Sequence, residues 1–436
     1  METIYYSLNP WWEDQTFDSG IKRDIYLQGL PLQLERKQVE IVIGSRRSGK
    51  TTLLKQFIRE LLEKGISKKD ILYLPLDHPN LSATPISEHL KTLRKIFSHG
   101  RDRKLYLFLD EIQDSPGWET ELKSIYDSEP LKVFCSGSSS YLVTRQGGKL
   151  TGRQIIRTIY PLSFREFILF RGGPPKLSED YKYEKLATEY LEVGGYPEQV
   201  LKPSHEYMTN LIEDILARDL IRNYPIKKPY ALRDLMRLVA ASTGSRISYN
   251  KLSKTLGLSL DTVKDYISYL EAAFLLKSIE KWSTSHSERI YAQKKVYLWD
   301  NGIRTLFTGS GDEGSKAENA VFMEISRNGF PCGYYAESER EVDFIIGSYK
   351  TPLPVEAKYV DAIDWNDRRL SGLRLFMRRF PGTKRMVLVT KNFEGESKIA
   401  DASIIAVPLW KFLLNSSEYL IDPGSIISRG LLVVQN

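Results

Sequence analysis

The 436-residue chain has no apolar run near the ~20 residues that a membrane-crossing helix needs, which argues against a helical span. Its two cysteines, Cys135 and Cys332, exclude a disulfide framework and a cysteine-type zinc spacing. Its five histidines contain no i, i+4 pair, so a histidine-built zinc site is not expected. The opening "METIYYSLNPWW" lacks the basic start and apolar core of a secretory signal. Together these absences predict a cytoplasmic protein without a structural metal or a membrane partner. Disorder is also disfavoured, because 42% of residues are apolar and 11% aromatic, enough to build cores. A net charge of +7 is compatible with nucleic acid, although many soluble proteins are as basic. The length implies two to four domains.

What is present begins with "VEIVIGSRRSGKTTLLKQFIRELL". Val39 to Ile43 read as a buried strand, and Leu53, Leu54, Phe57, Ile58, Leu61 and Leu62 as the apolar face of a helix. Between them stands Gly44-Ser45-Arg46-Arg47-Ser48-Gly49-Lys50-Thr51, with Thr52 beyond, the G-x-x-x-x-G-K-[ST] loop in its strand-to-helix setting. Glycines let backbone N–H groups converge on phosphate oxygens at a helix N-terminus. Lys50 is expected on the β- and γ-phosphates of ATP, and Thr51 on Mg²⁺. A second strand, Leu105–Leu109, ends in Asp110 and Glu111. Asp110 is placed to join the Mg²⁺ shell and Glu111 to polarise the attacking water. Strands are also expected from Ile71, from Leu131 and over Ile155–Tyr160, with Ser136 or Ser138 beside the γ-phosphate and Arg153 just before the last strand.

The motifs "GSRRSGKTTLL", "LFLDEIQ", "GSSS", "TGR", "YPLSFREF" and "GGYPEQV" resemble the AAA+ P-loop ATPases, in particular a prokaryotic family common in archaea. The resemblance implies a parallel α/β sheet over residues 1–162, with an N-terminal arm, and a helical lid over 163–228. It also implies an arginine finger, for which Arg153 is the candidate and Arg157, Arg218 or a plain salt bridge are rivals. A finger would make the chain a homo-oligomer. An asparagine sensor after the fourth strand is missing. Trp11 and Trp12 could cover an adenine, but as a pair they read better as a core anchor.

From Ala231 the pattern is helix, short helix closed by Gly257, and a third helix capped by Ser259 or Asp261 with Val263, Ile267, Leu270 and Phe274 on one face. "KSIEKW" and "KKVYLWD" then suggest a hairpin, completing a winged-helix domain over 229–300. Lys251, Lys254, Thr262, Lys264 and Lys281 are its candidate DNA contacts, and protein docking is the alternative. The remainder, 301–436, alternates as helix, three strands, helix and strand. Strand alternation puts Glu356 and Lys358 on one face, Asp343 ends the neighbouring strand's polar register, and Glu318 lies on the preceding helix. The triplet Glu-x-Lys alone means little, since it recurs at Glu121/Lys123 and Glu396/Lys398. With its strands, Asp343 and Glu318, the set resembles the PD-(D/E)xK nucleases. That resemblance implies Mg²⁺ or Mn²⁺ on Glu318, Asp343 and Glu356, with Lys358 near the attacking water. Three functions fit: a DNA-acting ATPase whose last domain cuts, a regulatory ATPase whose nuclease fold only holds DNA, and a signalling ATPase with a protein partner.

Overall fold

All six positions of β1 (Val39–Gly44) are buried, because β1 lies inside a parallel sheet covered on both faces. The computed structural model describes residues 2–138, 148, 150–179, 181–399 and 402–421. The last two serines of the "GSSS" motif lie outside them. The described residues divide into two compact units, Met1–Ile159 and Tyr160–Asn436.

In the first unit β1 is joined by β2 (Ile71–Pro75), β3 (Leu105–Asp110), β4 (Leu131–Ser138) and β5 (Gln154–Thr158), in the order β2-β3-β4-β1-β5. Every pairing is parallel. Helices α1 (Lys50–Glu63), α2 (Ile86–Phe97) and α3 (Trp118–Ser128) connect the strands. Helix α1 buries Leu53, Leu54, Phe57, Ile58 and Leu61, the stripe its 3.6-residue spacing marks out. The edge strand β2 is closed by the N-terminal arm: the Asn9 amide receives the Tyr73 N–H at 2.7 Å and donates to its carbonyl at 3.1 Å. Trp11 and Trp12 are buried beside it, and Trp12 donates to the Ile71 carbonyl at 2.8 Å. They anchor the arm.

The second unit opens with α4 (Phe164–Phe170) and α5 (Tyr181–Val193). Ser163 and Glu166 form a reciprocal capping box at the start of α4. Phe164, Phe167 and Tyr190 share a core with Phe322, Val355 and Phe412 from the far end of the chain. Helix α6 (His205–Asp214) runs into a π-helical segment, Ile215–Ile221. The wider π turn shifts the side-chain register, and Asp219 is only 6% exposed.

Helices α7 (Pro229–Ala241), α8 (Tyr249–Leu256) and α9 (Leu260–Ala272) follow, with β6 (Arg246–Ile247) between the first two. Ser259 caps α9 by accepting the Thr262 N–H. Strands β7 (Leu276–Ile279) and β8 (Lys294–Leu298) are antiparallel, and β6 pairs on the other side of β8. Strand β8 is buried on both faces. Val296 and Leu298 face the core of α6 to α9, while Tyr297 joins the core around Phe322. The chain beyond β7 then meets the last domain, where Trp282 N–H donates to the Tyr334 carbonyl at 2.7 Å.

After α10 (Asn301–Thr308) and α11 (Glu313–Arg327) come β9 (Cys332–Glu337), β10 (Arg340–Gly347) and β11 (Pro352–Lys358). Then follow α12 (Ser371–Arg379), β12 (Arg385–Thr390), β13 (Gly395–Ile399), β14 (Ala402–Pro408) and α13 (Leu409–Leu420). The mixed sheet runs β13-β14-β12-β11-β10-β9.

Asp300, which caps α10, ties this unit together. Its buried carboxylate accepts the N–H groups of Gly195 at 2.5 Å and Gly302 at 2.8 Å. Burial pushes its carboxyl up to about 7, against those two donors. The folded chain therefore holds this proton to a higher pH than the unfolded chain. Its stabilising effect is complete below 3.8 and is lost as pH rises through about 7. Asp300→Asn is expected to flatten that part of the stability profile, measured as the wild-type minus variant difference in urea midpoint across the window.

Candidate functional site

The phosphate loop is built by two backbone requirements. Gly49 caps α1 at φ +100, a conformation that side chains other than glycine's resist. At Gly44 a Cβ would collide with the Ile159 carbonyl of the segment that follows β5. Ser45, Ser48 and Lys50 are buried in the loop, and Arg46, Arg47, Thr51 and Thr52 line its rim or the first turn of α1. Lys50 Nζ bridges the Gly44 and Ser45 carbonyls, at 3.1 Å each. The Ser45 and Ser48 hydroxyls are buried with no hydrogen-bond partner among the described residues. Buried donors left unpaired cost about 1–3 kcal/mol each, so the loop suits an incoming anion.

The acidic pair lies at the carboxyl end of β3. Asp110 accepts from Tyr73 Oη at 2.9 Å and from the Ser136 hydroxyl. Glu111 sits in the left-handed region, φ 50 and ψ 53, a strain that a non-glycine residue adopts at cost. Ser136 Oγ, at 3.1 Å, receives its N–H, and Gln113 Nε2 donates to its carboxylate at 2.7 Å. Gln113 in turn accepts the Ser138 N–H at 3.3 Å, which links Glu111 to the tip of β4. Burial, then the charges of Glu111 and Asp110, raise the nearby Asp77 carboxyl. Such crowding of negative charge fits a divalent cation: Asp110 and Thr51 would hold Mg²⁺, which would screen the phosphate charge. Gln113 and Asp77 were not singled out from sequence, because a polar residue past a strand end carries no periodic signal. Gln113→Ala is expected to lower kcat roughly 10- to 100-fold with KM little changed, as mispositioning of a catalytic group does. Steady-state ATPase assays check it.

The three candidate finger arginines all have carboxylate partners within their own unit. Arg153 pairs with Asp127 at 3.1 Å, Arg157 with Glu40 at 2.8 Å, and Arg218 with Asp214 at 3.3 Å.

In the second unit Glu318, Asp343, Glu356 and Lys358 come together at the junction of α11, β10 and β11. The pairing of β10 with β9 is irregular between Val342 and Ile345, and this bulge presents Asp343. Asp343 N–H donates to Glu356 Oε2 at 3.1 Å, and Ala357 N–H to Asp343 Oδ2 at 3.1 Å. Lys358 pairs with Glu356 Oε1 and stands 3.8 Å from Asp343 Oδ2. Three further residues join them. Lys295, from β8, reaches Glu318 at 2.9 Å, Glu341 at 2.6 Å and Asp343 at 3.1 Å, and Tyr297 Oη donates to Glu318 at 2.7 Å. Sequence reading placed Lys295 in a hairpin wing, where a lysine is ordinarily solvated.

Carboxylates outnumber cations here, and protons compensate. Burial and then Asp343 push the Glu356 carboxyl up to about 8 against Lys358. Burial and Asp343 likewise push Glu318 up to about 7 against Lys295. Burial opposes the ionised form of Asp343 too, but Lys295 and Lys358 outweigh it and hold that carboxyl below its ordinary value. The residues do not fit a divalent ion as arranged, because all four oxygens of Asp343 and Glu356 are engaged by N–H or ammonium groups of this chain. Among the described residues no three Asp, Glu, His or Cys side chains converge as a metal-ligand group. No chemical step is therefore derived through a metal there.

The five parallel strands, the glycine-bounded loop and the acidic strand end define the first unit as a nucleotide-binding P-loop domain of α/β class. Residues 36–168 match the family model described as an AAA domain, which supports a P-loop ATPase of AAA+ type using ATP. Residues 184–313 match a model described as a domain of unknown function. The chain is 26% identical over 401 residues to an uncharacterized protein of Haemophilus influenzae, covering 89% of this chain and 98% of that one. It is also 26% identical over 422 residues to an uncharacterized protein of Methanocaldococcus jannaschii, covering 90% and 91%. Among solved structures, AMPPCP-bound DnaA from Aquifex aeolicus matches at 15% identity and TM-score 0.24, over 57% of this chain and 86% of that one. A score of this size leaves the fold argument to the sheet and loop themselves. No helix among the described residues is long and apolar enough to cross a membrane.

Proposed function

We propose that this protein is a Mg²⁺-dependent AAA+-type ATPase that acts on DNA, with a winged helix over 229–300 and a nuclease-type domain over 301–436. The observation that carries the ATPase reading is the strained Glu111, held by Gln113 and Ser136 beside Asp110. A residue kept in an unfavourable conformation by a dedicated network is positioned for chemistry. With ATP and Mg²⁺ bound, Lys50 would neutralise the β- and γ-phosphates, Thr51 and Asp110 would hold the ion, and Glu111 would take the proton of the attacking water. Residues 163–228 serve as the helical lid.

The DNA reading rests on the order of helices α7 to α9 and strands β6 to β8, on exposed Lys251 and Lys254, and on the net charge of +7. The gathering of Glu318 on α11, Asp343 on β10, and Glu356 and Lys358 on β11 supports the nuclease-type fold. One observation favours the second reading, a protein partner at the winged helix: Lys264 is paired with Asp261 at 3.3 Å, and Lys281 with Glu288. The test is fluorescence anisotropy with single-stranded, duplex and branched DNA over a salt series, with and without ATP. DNA contact through phosphates predicts affinity falling steeply and linearly in log–log form. Absence of salt-sensitive binding to every DNA overturns the DNA reading and supports the protein partner.

A further inference from the structure

Lys295 is the unexpected member of the carboxylate cluster. Its side chain is 1% exposed, and its ammonium lies within 3.1 Å of oxygens from three carboxylates, Glu318, Glu341 and Asp343. A buried ammonium is stable only when its donors and charge are satisfied, and three carboxylates satisfy both. A hard divalent cation also requires oxygens gathered on one point, but here they are gathered on the ammonium, and among the described residues no such group is placed to hold a metal ion as arranged. Lys295 also belongs to a different part of the chain from the other cluster residues. Strand β8 is held between two cores, through Val296 and Leu298 on one face and Tyr297 on the other, so its backbone delivers the lysine at a fixed height. Tyr297, two residues on and therefore on the same face, donates to the same Glu318 oxygen at 2.7 Å.

We propose that Lys295 is a resident cation of this cluster: its ammonium occupies the place of a divalent ion among Glu318, Glu341 and Asp343, and an ion binds only when that ammonium is removed. The nuclease-type domain is thus charge-compensated by the chain itself and closed to metal in this conformation. Lys358 cannot fill the same role, because it pairs with Glu356 and is 3.8 Å from Asp343. The inference rests on reading Glu318, Asp343 and Glu356 as a nuclease-type ligand set. Its test reads ion binding and not cleavage, so the two can fail separately.

The experiment titrates Mn²⁺ into nucleotide-free full-length protein and follows the free-ion EPR signal. Wild type is expected to retain no ion that depends on Glu318. Lys295→Ala and the bulkier Lys295→Met are expected to gain one ion, bound at least about 10-fold more tightly than any in wild type, a difference of about 1.4 kcal/mol. Adding Glu318→Gln to either variant should remove the gained ion, which separates it from ions at the phosphate loop. Equal Mn²⁺ binding by wild type and both variants, or a gained ion indifferent to Glu318→Gln, overturns the proposal. If the variants unfold in the absence of metal, Mn²⁺ should restore their near-UV circular dichroism by replacing the missing charge, and failure to do so also overturns it. An ion gained without DNA cleavage by any form would support the inference while removing the cutting function.

Discussion

Lys50→Ala is expected to abolish ATP turnover and weaken nucleotide binding, whereas Glu111→Gln abolishes turnover and leaves nucleotide bound. The two differ because they act at different moments. Lys50 is buried in the loop, on the carbonyls of Gly44 and Ser45, where phosphate oxygens would take over its hydrogen bonds. Removing such a preorganised charge costs roughly 10²–10³ in kcat, and the ground state loses the same contact. Glu111 is held instead by Gln113 and aimed by its own backbone strain. Its amide replacement keeps shape but cannot take a proton, and general bases contribute about 10²–10⁴-fold. Steady-state ATPase rates and fluorescent-nucleotide binding separate the cases. Full turnover by Lys50→Ala would show that the site is elsewhere.

Asp343→Ala is expected to destabilise the second unit by about 3–5 kcal/mol, the cost of leaving buried charge without its partner. Asp343 is 6% exposed and is the carboxylate that Lys295 and Lys358 have in common. Its loss leaves two ammonium groups, one of them fully enclosed, with too little negative charge. Glu341→Ala should cost less than that, because its side chain is 27% exposed and water screens part of what Lys295 loses. Urea unfolding followed by tryptophan fluorescence measures both, since Trp282, Trp299, Trp365 and Trp410 all report on this unit. If the two substitutions cost the same, the cluster is not the buried charge network described here. Glu356→Ala is expected to leave ATP turnover intact, because Glu356 and the phosphate loop belong to different units.

The parallel sheet of the first unit was legible from sequence, because each strand is a short apolar run and each helix a 3.6-residue stripe, although β5, expected over Ile155–Tyr160, runs Gln154–Thr158. Those signals are local. The phosphate loop is local as well: the needs of Gly44 and Gly49 are backbone needs, written in neighbouring residues. The carboxylate cluster was half legible. Glu356 and Lys358 share a face by strand alternation, and Asp343 follows from the next strand. The bulge that presents Asp343 has no sequence mark of its own, since its residues "EVDFII" read as an ordinary strand. The buried position of Asp219 has no sequence mark for a related reason, as a π turn breaks the helical period there.

By itself, then, the sequence determined the nucleotide-binding half and the residue types available to the other half. Tertiary structure decided which of those residues meet. Lys295 lies 48 residues from Asp343, and nothing in "KKVYLWD" distinguishes it from its neighbour Lys294. Burial of β8 on both faces turns one of the two lysines into a carboxylate cluster and leaves the other paired with Glu280 at 3.4 Å. The physical reason is that strand periodicity sets which side chains share a face, while only packing against distant elements decides what that face will meet.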